Sequence, residues 1–201
     1  MAGPYIQCEG FLLRKVRTSE AMEQLSFFTA GKGLLLAYRR LRKKPGPTAE
    51  PDLFDRIEVV LEGGNSTWFI REAHINRRFS GIGNRYSCLV YASRFASALL
   101  NNPLHEGHAT GHFRNLEPSL AAWERGKRPE VVYFKSLYLF AREEGLPVKE
   151  EWWPRLSEPE RNRVAELLKH PIDQQVISAE GTENLAKKLE EYLQHHADVR
   201  F

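Results

Sequence analysis

Residues 24–40 read QLSFFTAGKGLLLAYRR, and this stretch decides the fold. Residues 24–29 alternate as a strand, with Leu25 and Phe27 on one face and Phe28 on the other. Ala30-Gly31-Lys32-Gly33 is a turn, because two glycines supply the positive φ that tight hairpins need. Residues 34–40 alternate again, Leu34, Leu36 and Tyr38 against Leu35, Ala37 and Arg39. The unit is a β-hairpin, and the sequence on either side keeps the same period. Upstream, Ile6, Cys8 and Leu12 alternate with Tyr5, Phe11 and Leu13 in a first strand, interrupted at Gly10 by a bulge or sharp coil. Downstream, residues 43–52 hold Pro45, Gly46, Pro47 and Pro51 and form an exposed loop. Residues 53–62 place Ile57, Val59 and Leu61 against Arg56, Glu58 and Glu62; residues 62–65 turn the chain. A fifth strand over 66–75 sets Thr67, Phe69, Arg71 and Ala73 against Trp68, Ile70 and Glu72. Five short strands in about 70 residues with no long helix predict a small closed barrel, OB-like or SH3-like.

From Phe79 the period becomes helical. Residues 84–101 put Leu89, Ala92, Ala96 and Leu99 on one face, and Asn101-Asn102-Pro103 is a stop. Pro118 opens a second helix that runs to Gly126 with Leu120 and Trp123 inward. Residues 130–144 are apolar almost all round, the mark of a central buried helix, with Gly145 just past its end. Ser157 and Glu160 form a capping-box pattern ahead of Val164, Leu167 and Leu168, and His170-Pro171 ends that helix. Thr182 caps a last helix with Leu185, Leu189, Tyr192 and Leu193 facing in.

The totals place the chain among soluble globular proteins: 201 residues, 42% hydrophobic and 27% charged. No run approaches the ~18 apolar residues of a membrane span. The amino terminus has neither the basic nor the apolar region of a signal peptide, so a cytosolic location is expected. Two cysteines, Cys8 and Cys88, make neither a disulfide framework nor a four-cysteine zinc site. The net charge of +3 is unevenly spread. Residues 1–78 carry 13 Lys+Arg against 9 Asp+Glu, whereas residues 79–201 carry 16 against 17. Most of the excess lies in Arg39-Arg40-Leu41-Arg42-Lys43-Lys44.

Five cations in six residues repel one another and suit a polyanion that releases its counterions on binding. Arg14, Lys15 and Arg17, just past the first strand, and Lys32 in the turn extend that surface. Tyr38, Phe27, Phe28 and Trp68 stack unpaired bases if they face outward, and fill the barrel if they face in. The two alternatives stand open in the sequence. His105, His108 and His112 look ligand-rich, but Pro103, Gly107 and Gly111 favour a solvated loop, and the H-E-x-x-H spacing is absent. Gly81-Ile82-Gly83 is a domain junction and no nucleotide site. Cys8 and Cys88 read as inert buried thiols, and no nucleophile elbow or Walker A pattern occurs. Adjacent carboxylates (Glu143-Glu144, Glu150-Glu151, Glu190-Glu191) read as solvated helix faces. A non-enzymatic protein is expected.

Several of these segments together resemble the RecO family of bacterial recombination mediators. The barrel opening Cys8-Glu9-Gly10-Phe11-Leu12-Leu13-Arg14 resembles that family, as do Phe27-Phe28-Thr29-Ala30-Gly31-Lys32-Gly33-Leu34 and the Arg39-Arg40 strand exit. In the helical half, Arg85-Tyr86-Ser87-Cys88-Leu89-Val90-Tyr91-Ala92-Ser93 resembles the family's first helix and Leu189-Glu190-Glu191-Tyr192-Leu193-Gln194-His195-His196 its last. The resemblance implies an α+β, two-domain protein: a five-stranded OB-fold β-barrel (residues 1–78) followed by an all-α domain (residues 79–201) for partner binding. It implies a DNA-repair protein, nucleoid-associated in a bacterial cytoplasm, that binds single- and double-stranded DNA and anneals complementary strands. With the tail of single-strand-binding protein and with RecR, such a protein promotes RecA loading. The positions carried over for DNA binding are Arg14, Lys32, Arg39, Arg40, Arg42, Lys43 and Lys44, with Tyr38 beside them. No cofactor is expected. Many relatives carry a four-cysteine zinc ribbon after the central helix; residues 145–159 offer Trp152-Trp153 instead, so no metal is expected. The alternatives are a protein-interaction adaptor on the same scaffold and, more remotely, a metalloprotein built on the three histidines.

Overall fold

A computed structural model describes residues 4–41, 50–64, 67–102, 104 and 107–201. The chain divides into two compact units, Met1–Phe79 and Ser80–Phe201. The first contains β1 (Tyr5–Arg17), β2 (Met22–Thr29), β3 (Gly33–Arg40), β4 (Arg56–Gly64) and β5 (Thr67–Arg77). These five strands close into a barrel in the order β1-β2-β3-β5-β4, with antiparallel pairs except for the parallel β3–β5 contact.

β1 closes the barrel because it serves two partners. Its first half pairs with β4 (Tyr5↔Glu62 to Phe11↔Arg56) and its second half with β2 (Gly10↔Thr29 to Arg17↔Glu23). At the crossover sits Gly10, where a Cβ would stand 3.0 Å from the Phe28 carbonyl oxygen and 3.1 Å from the Thr29 methyl. The close approach, and not a bulge, is what Gly10 permits. The bulge lies three residues on, where the register shifts between Leu12 and Arg14. β1 therefore runs on to Arg17, and Arg14, Lys15 and Arg17 belong to the strand instead of following it. Gly33 takes the left-handed φ of +61° that closes the β2–β3 hairpin.

Leu12, Leu25, Phe27, Ala37, Ile57, Val59 and Leu61 fill the barrel, with Cys8, Leu35, Trp68, Ile70 and Ile75 against them. Phe28 and Phe11, on the other side of the wall, are fully buried too, Phe11 with its ring centroid 6.4 Å from that of Phe79. β4 begins at Arg56, later than the alternation suggests. Asp52–Asp55 is a turn tied to β1 by Phe54 N to Leu12 O (2.7 Å) and Leu12 N to Asp55 O (3.0 Å). Gly63 and Gly64 are still paired with β5, and the rest of the turn expected at 62–65 lies outside the described residues. In β5 the register slips at Arg71, so Ile75 continues the inner face that Trp68 and Ile70 begin, in place of Glu72 and His74.

The second unit holds α1 (Tyr86–Asn101), α2 (Ala109–Arg125), α3 (Pro129–Glu143), α4 (Glu158–Lys169) and α5 (Ala179–Ala197). α3 is buried on nearly every side and packs on α1, α2 and α5. The capping box of α4 is formed, with Ser157 N and Oγ donating to Glu160 Oε2 at 2.9 and 2.8 Å.

Four expectations are corrected. α2 starts nine residues before Pro118, which lies inside it. The stripe His112, Leu116, Leu120 and Trp123 is buried along the whole helix, and that burial overrides the ~3 kcal/mol penalty of an interior proline. Residues 108–112 are accordingly not a solvated loop: His112 is buried in the first turn of α2, its Nε2 2.6 Å from Glu144 Oε1. Glu144 and Glu190 are buried and are not part of solvated faces. The α5 cap is Ser178, which accepts from Gly181 N at 3.1 Å; Thr182 lies fully buried in the first turn and donates to Ser178 O. Among the described residues no helix is long and apolar enough to cross a membrane.

Candidate nucleic-acid interface

Strand alternation separates the residues of the basic run at its first step. On β3, Leu35, Ala37 and Arg39 face the barrel interior, and Leu34, Leu36, Tyr38 and Arg40 face outward. Arg39 is 16% exposed, and its Nε donates to Glu23 Oε1 at 2.6 Å. Its Nη2 reaches Glu50 Oε2 at 3.2 Å. Glu23 is itself only 5% exposed in its side chain, so the two form an inner ion pair at one end of the barrel. Arg39 is thus engaged by two carboxylates, so the run does not form one exposed surface.

Arg40 is exposed on the outer wall, two residues past Tyr38. Cross-strand pairing lines up Val16, Gln24, Tyr38 and Phe69 in one row over β1, β2, β3 and β5. The Tyr38 and Phe69 rings meet at 6.1 Å and 41°, and Phe69 keeps 46% of its surface exposed. Gln24 Nε2 donates to Tyr38 Oη at 3.0 Å, which fixes the phenol against the wall. The next row sets Arg14, exposed on β1, beside Ser26 and the 44%-exposed Leu36. The row through Phe69 continues to Glu62 on β4 and Tyr5 on β1. Glu62 accepts from Tyr5 Oη at 3.1 Å and from Arg71 Nε at 2.9 Å, so its charge is answered. The outer wall therefore presents an aromatic and aliphatic strip with arginine on its border.

The other cations have varied places. Lys32 is exposed at the tip of the β2–β3 hairpin, about 26 Å along β3 from Arg40 at the usual rise per residue. It lies near Cys8, whose thiol is pushed up by burial and drawn partly back by the Lys32 charge. Lys15 Nζ donates to the Pro51 carbonyl, and Arg17 to the Ser19 and Glu20 carbonyls, so both shape loops. Leu41 N donates to Ala21 O at 2.8 Å, which delivers the chain leaving β3 to the same end of the barrel as the β1–β2 turn. Arg42, Lys43 and Lys44 lie outside the described residues, as does His105.

Of the aromatic residues singled out in the sequence, Phe27 and Phe28 are buried, Trp68 packs on the core, and Tyr38 alone belongs to the outer strip. Phe69 was not singled out, although its alternation with Thr67 and Arg71 already placed it on a polar face. No group of three or more His, Cys, Asp or Glu with metal-holding geometry occurs among the described residues. No protein-family model matches the chain, and no curated protein matches it.

Proposed function

We propose that the barrel is an OB fold that takes unpaired nucleic-acid strands on the outer wall of β1, β2, β3 and β5. In this reading the chain is a non-enzymatic recombination mediator of the RecO kind. It binds single- and double-stranded DNA, anneals complementary strands and acts with single-strand-binding protein and RecR to promote RecA loading. One observation carries the binding role: a touching aromatic pair on the outer wall, half-buried Tyr38 and exposed Phe69, with Arg40 and Arg14 beside it. Stacking on such rings is worth roughly 1–3 kcal/mol per base and needs bases that are not paired, while the arginines meet the backbone. The closed five-stranded barrel supports the OB reading, as does the place of the strip across β2 and β3, since OB barrels bind oligonucleotides on the face of their second and third strands.

The exposed Leu34, Leu36 and Val16 on the same wall favour the alternative, an adaptor that docks a protein partner there. Fluorescence anisotropy of a labelled oligothymidylate across a salt series separates the two. A mediator binds with a negative salt slope that Arg40→Glu with Arg14→Glu flattens, and it speeds annealing of complementary oligonucleotides. Absence of binding at low salt would sink the nucleic-acid reading and leave the adaptor.

A further inference from the structure

The helical unit carries a second cluster of basic and aromatic groups that the proposed barrel function does not use. After α3, the chain makes two short helical turns, Val148–Trp152 and Trp153–Arg155, and these lie against the last turns of α5. The groove between them encloses about 310 Å³, within the range of small-ligand sites. Its floor is aromatic: Trp152 and Tyr192 are buried, with Trp152 backed by Phe134. Around the mouth stand Arg155, Lys188, His195 and His196, with one carboxylate, Glu191, among them.

The arrangement of Arg155 is unusual. Its guanidinium carbon lies 5.6 Å from the centre of the Tyr192 ring, and the His196 ring centre lies 5.0 Å from the same ring. Arg155 Nη1 and His196 Nε2 are in direct contact. Arg155 makes no ion pair with a carboxylate among the described residues, whereas Arg94 and Arg128 of the same unit do. A guanidinium has five donors and no acceptor, so a histidine ring satisfies one of them and leaves the charge unanswered. The acidic groups nearby are engaged elsewhere. Glu160 accepts from Lys188 Nζ at 2.5 Å, Glu191 lies 4.0 Å from Lys187 Nζ, and Glu151 accepts from Tyr192 Oη at 3.4 Å. The His195 ring is turned by its Nδ1, 2.6 Å from the Glu191 carbonyl oxygen.

We propose that this groove is an oxyanion site that takes a phosphomonoester group. Arg155 supplies the uncompensated charge, Lys188 a second cation shared with Glu160, and His196, whose Nε2 meets Arg155, keeps its other ring nitrogen for a further hydrogen bond. A guanidinium fork from the turn after α3 and an ammonium from α5, reaching one mouth from two elements, match a tetrahedral anion, whose oxygens point several ways, better than a planar carboxylate. The Tyr192–Trp152 floor seats the group that carries the phosphate. The same chemistry is offered by free phosphate and by the phosphorylated end of a nucleic-acid strand. The site stands independently of the barrel interface.

The test uses the full chain and inorganic phosphate, followed through the imidazole resonances of His195 and His196 in ¹H–¹³C correlation spectra. Chloride at equal ionic strength is the reference. Saturable shifts at millimolar phosphate are expected, with affinity reduced at least tenfold in Arg155→Gln and partly restored in Arg155→Lys. Circular dichroism checks that both variants keep their fold. Shifts that grow linearly and equally with phosphate and chloride overturn the site, as does a phosphate affinity unchanged by Arg155→Gln. A 5′-phosphorylated oligothymidylate is then compared with its 5′-hydroxyl form. A response to the phosphorylated form alone assigns the ligand to a strand end. Equal responses, with free-phosphate binding intact, assign it to the free anion.

Discussion

Arg39 and Arg40 are neighbours with opposite fates, and the difference is one step of strand alternation. Arg39 points in and meets Glu23; Arg40 points out beside Tyr38. Breaking an inner pair strands the remaining charge, so Arg39→Ala should lower unfolding stability by about 3 kcal/mol while leaving oligothymidylate affinity nearly unchanged. Arg40→Glu should do the reverse: stability within about 0.5 kcal/mol, and affinity lower by on the order of tenfold at low salt. Denaturant melts and anisotropy on the same two variants decide the matter, and a loss of affinity in Arg39→Ala equal to that in Arg40→Glu would return Arg39 to the interface. Tyr38→Ala and Phe69→Ala should each weaken single-strand binding by roughly 1–3 kcal/mol with less effect on duplex, since only unpaired bases can stack on the strip. The alternation of Leu35, Ala37 and Arg39 against Leu34, Leu36 and Tyr38 is legible in the sequence. Which of the two sets is covered is not, because both contain apolar residues. Glu23, the residue that settles the place of Arg39, is one residue outside the strand that alternation suggests.

Elements show where local signals win and where packing does. The Ser157–Glu160 capping box is a local signal and forms as written. Glu160 is held down to about 2, first by the hydrogen bond from Lys188 and then by those from Ser157. A carboxyl lowered on folding stabilises above its ordinary 4.5 and loses that contribution as pH falls toward about 2. Glu160→Ala should therefore cost about 1 kcal/mol at pH 7, and the difference from wild type should fade between those two values in a series of thermal melts. Pro118 shows the opposite case. Proline lacks the N–H that would bond the Arg114 carbonyl in α2, and its ring crowds that carbonyl. Pro118→Ala should restore the bond and raise stability by up to ~3 kcal/mol; a melting point unchanged or lowered would mean that the proline ring packs in a way alanine cannot replace. The misplaced start of α2 has the same origin. Proline and glycine at 103, 107, 111 and 118 all read as breakers, yet α2 runs through Gly111 and Pro118, where packing on α3, with Glu144 just beyond its end to receive His112, makes the helix worth forming. Glu190 belongs here too. Burial pushes its carboxyl up, against the hydrogen bond from Tyr133 and the charge of Arg94, so the network joins α1, α3 and α5 without appearing in any local pattern.

For the whole molecule, the uneven charge is the feature with a measurable consequence. If Arg14, Lys32, Arg40, Arg42, Lys43 and Lys44 all meet phosphates of a single strand, log affinity should fall with log salt at a slope of about −4, from ~0.7 per neutralised phosphate. A slope near zero would assign the strip to a protein partner. The sequence by itself determined the change of period at Phe79, the five strands, the β2–β3 hairpin and the central α3. These rest on periodicity, glycine and proline, which act over a few residues and need no partner. Only the tertiary structure decided which strand face is covered, where β1 crosses from β4 to β2, and that β3 meets β5 in parallel. It also turned Glu23, Glu144 and Glu190 inward and set Phe69 against Tyr38. Each depends on a contact between residues far apart in the chain, and a residue's own type and near neighbours carry no record of what is brought against it.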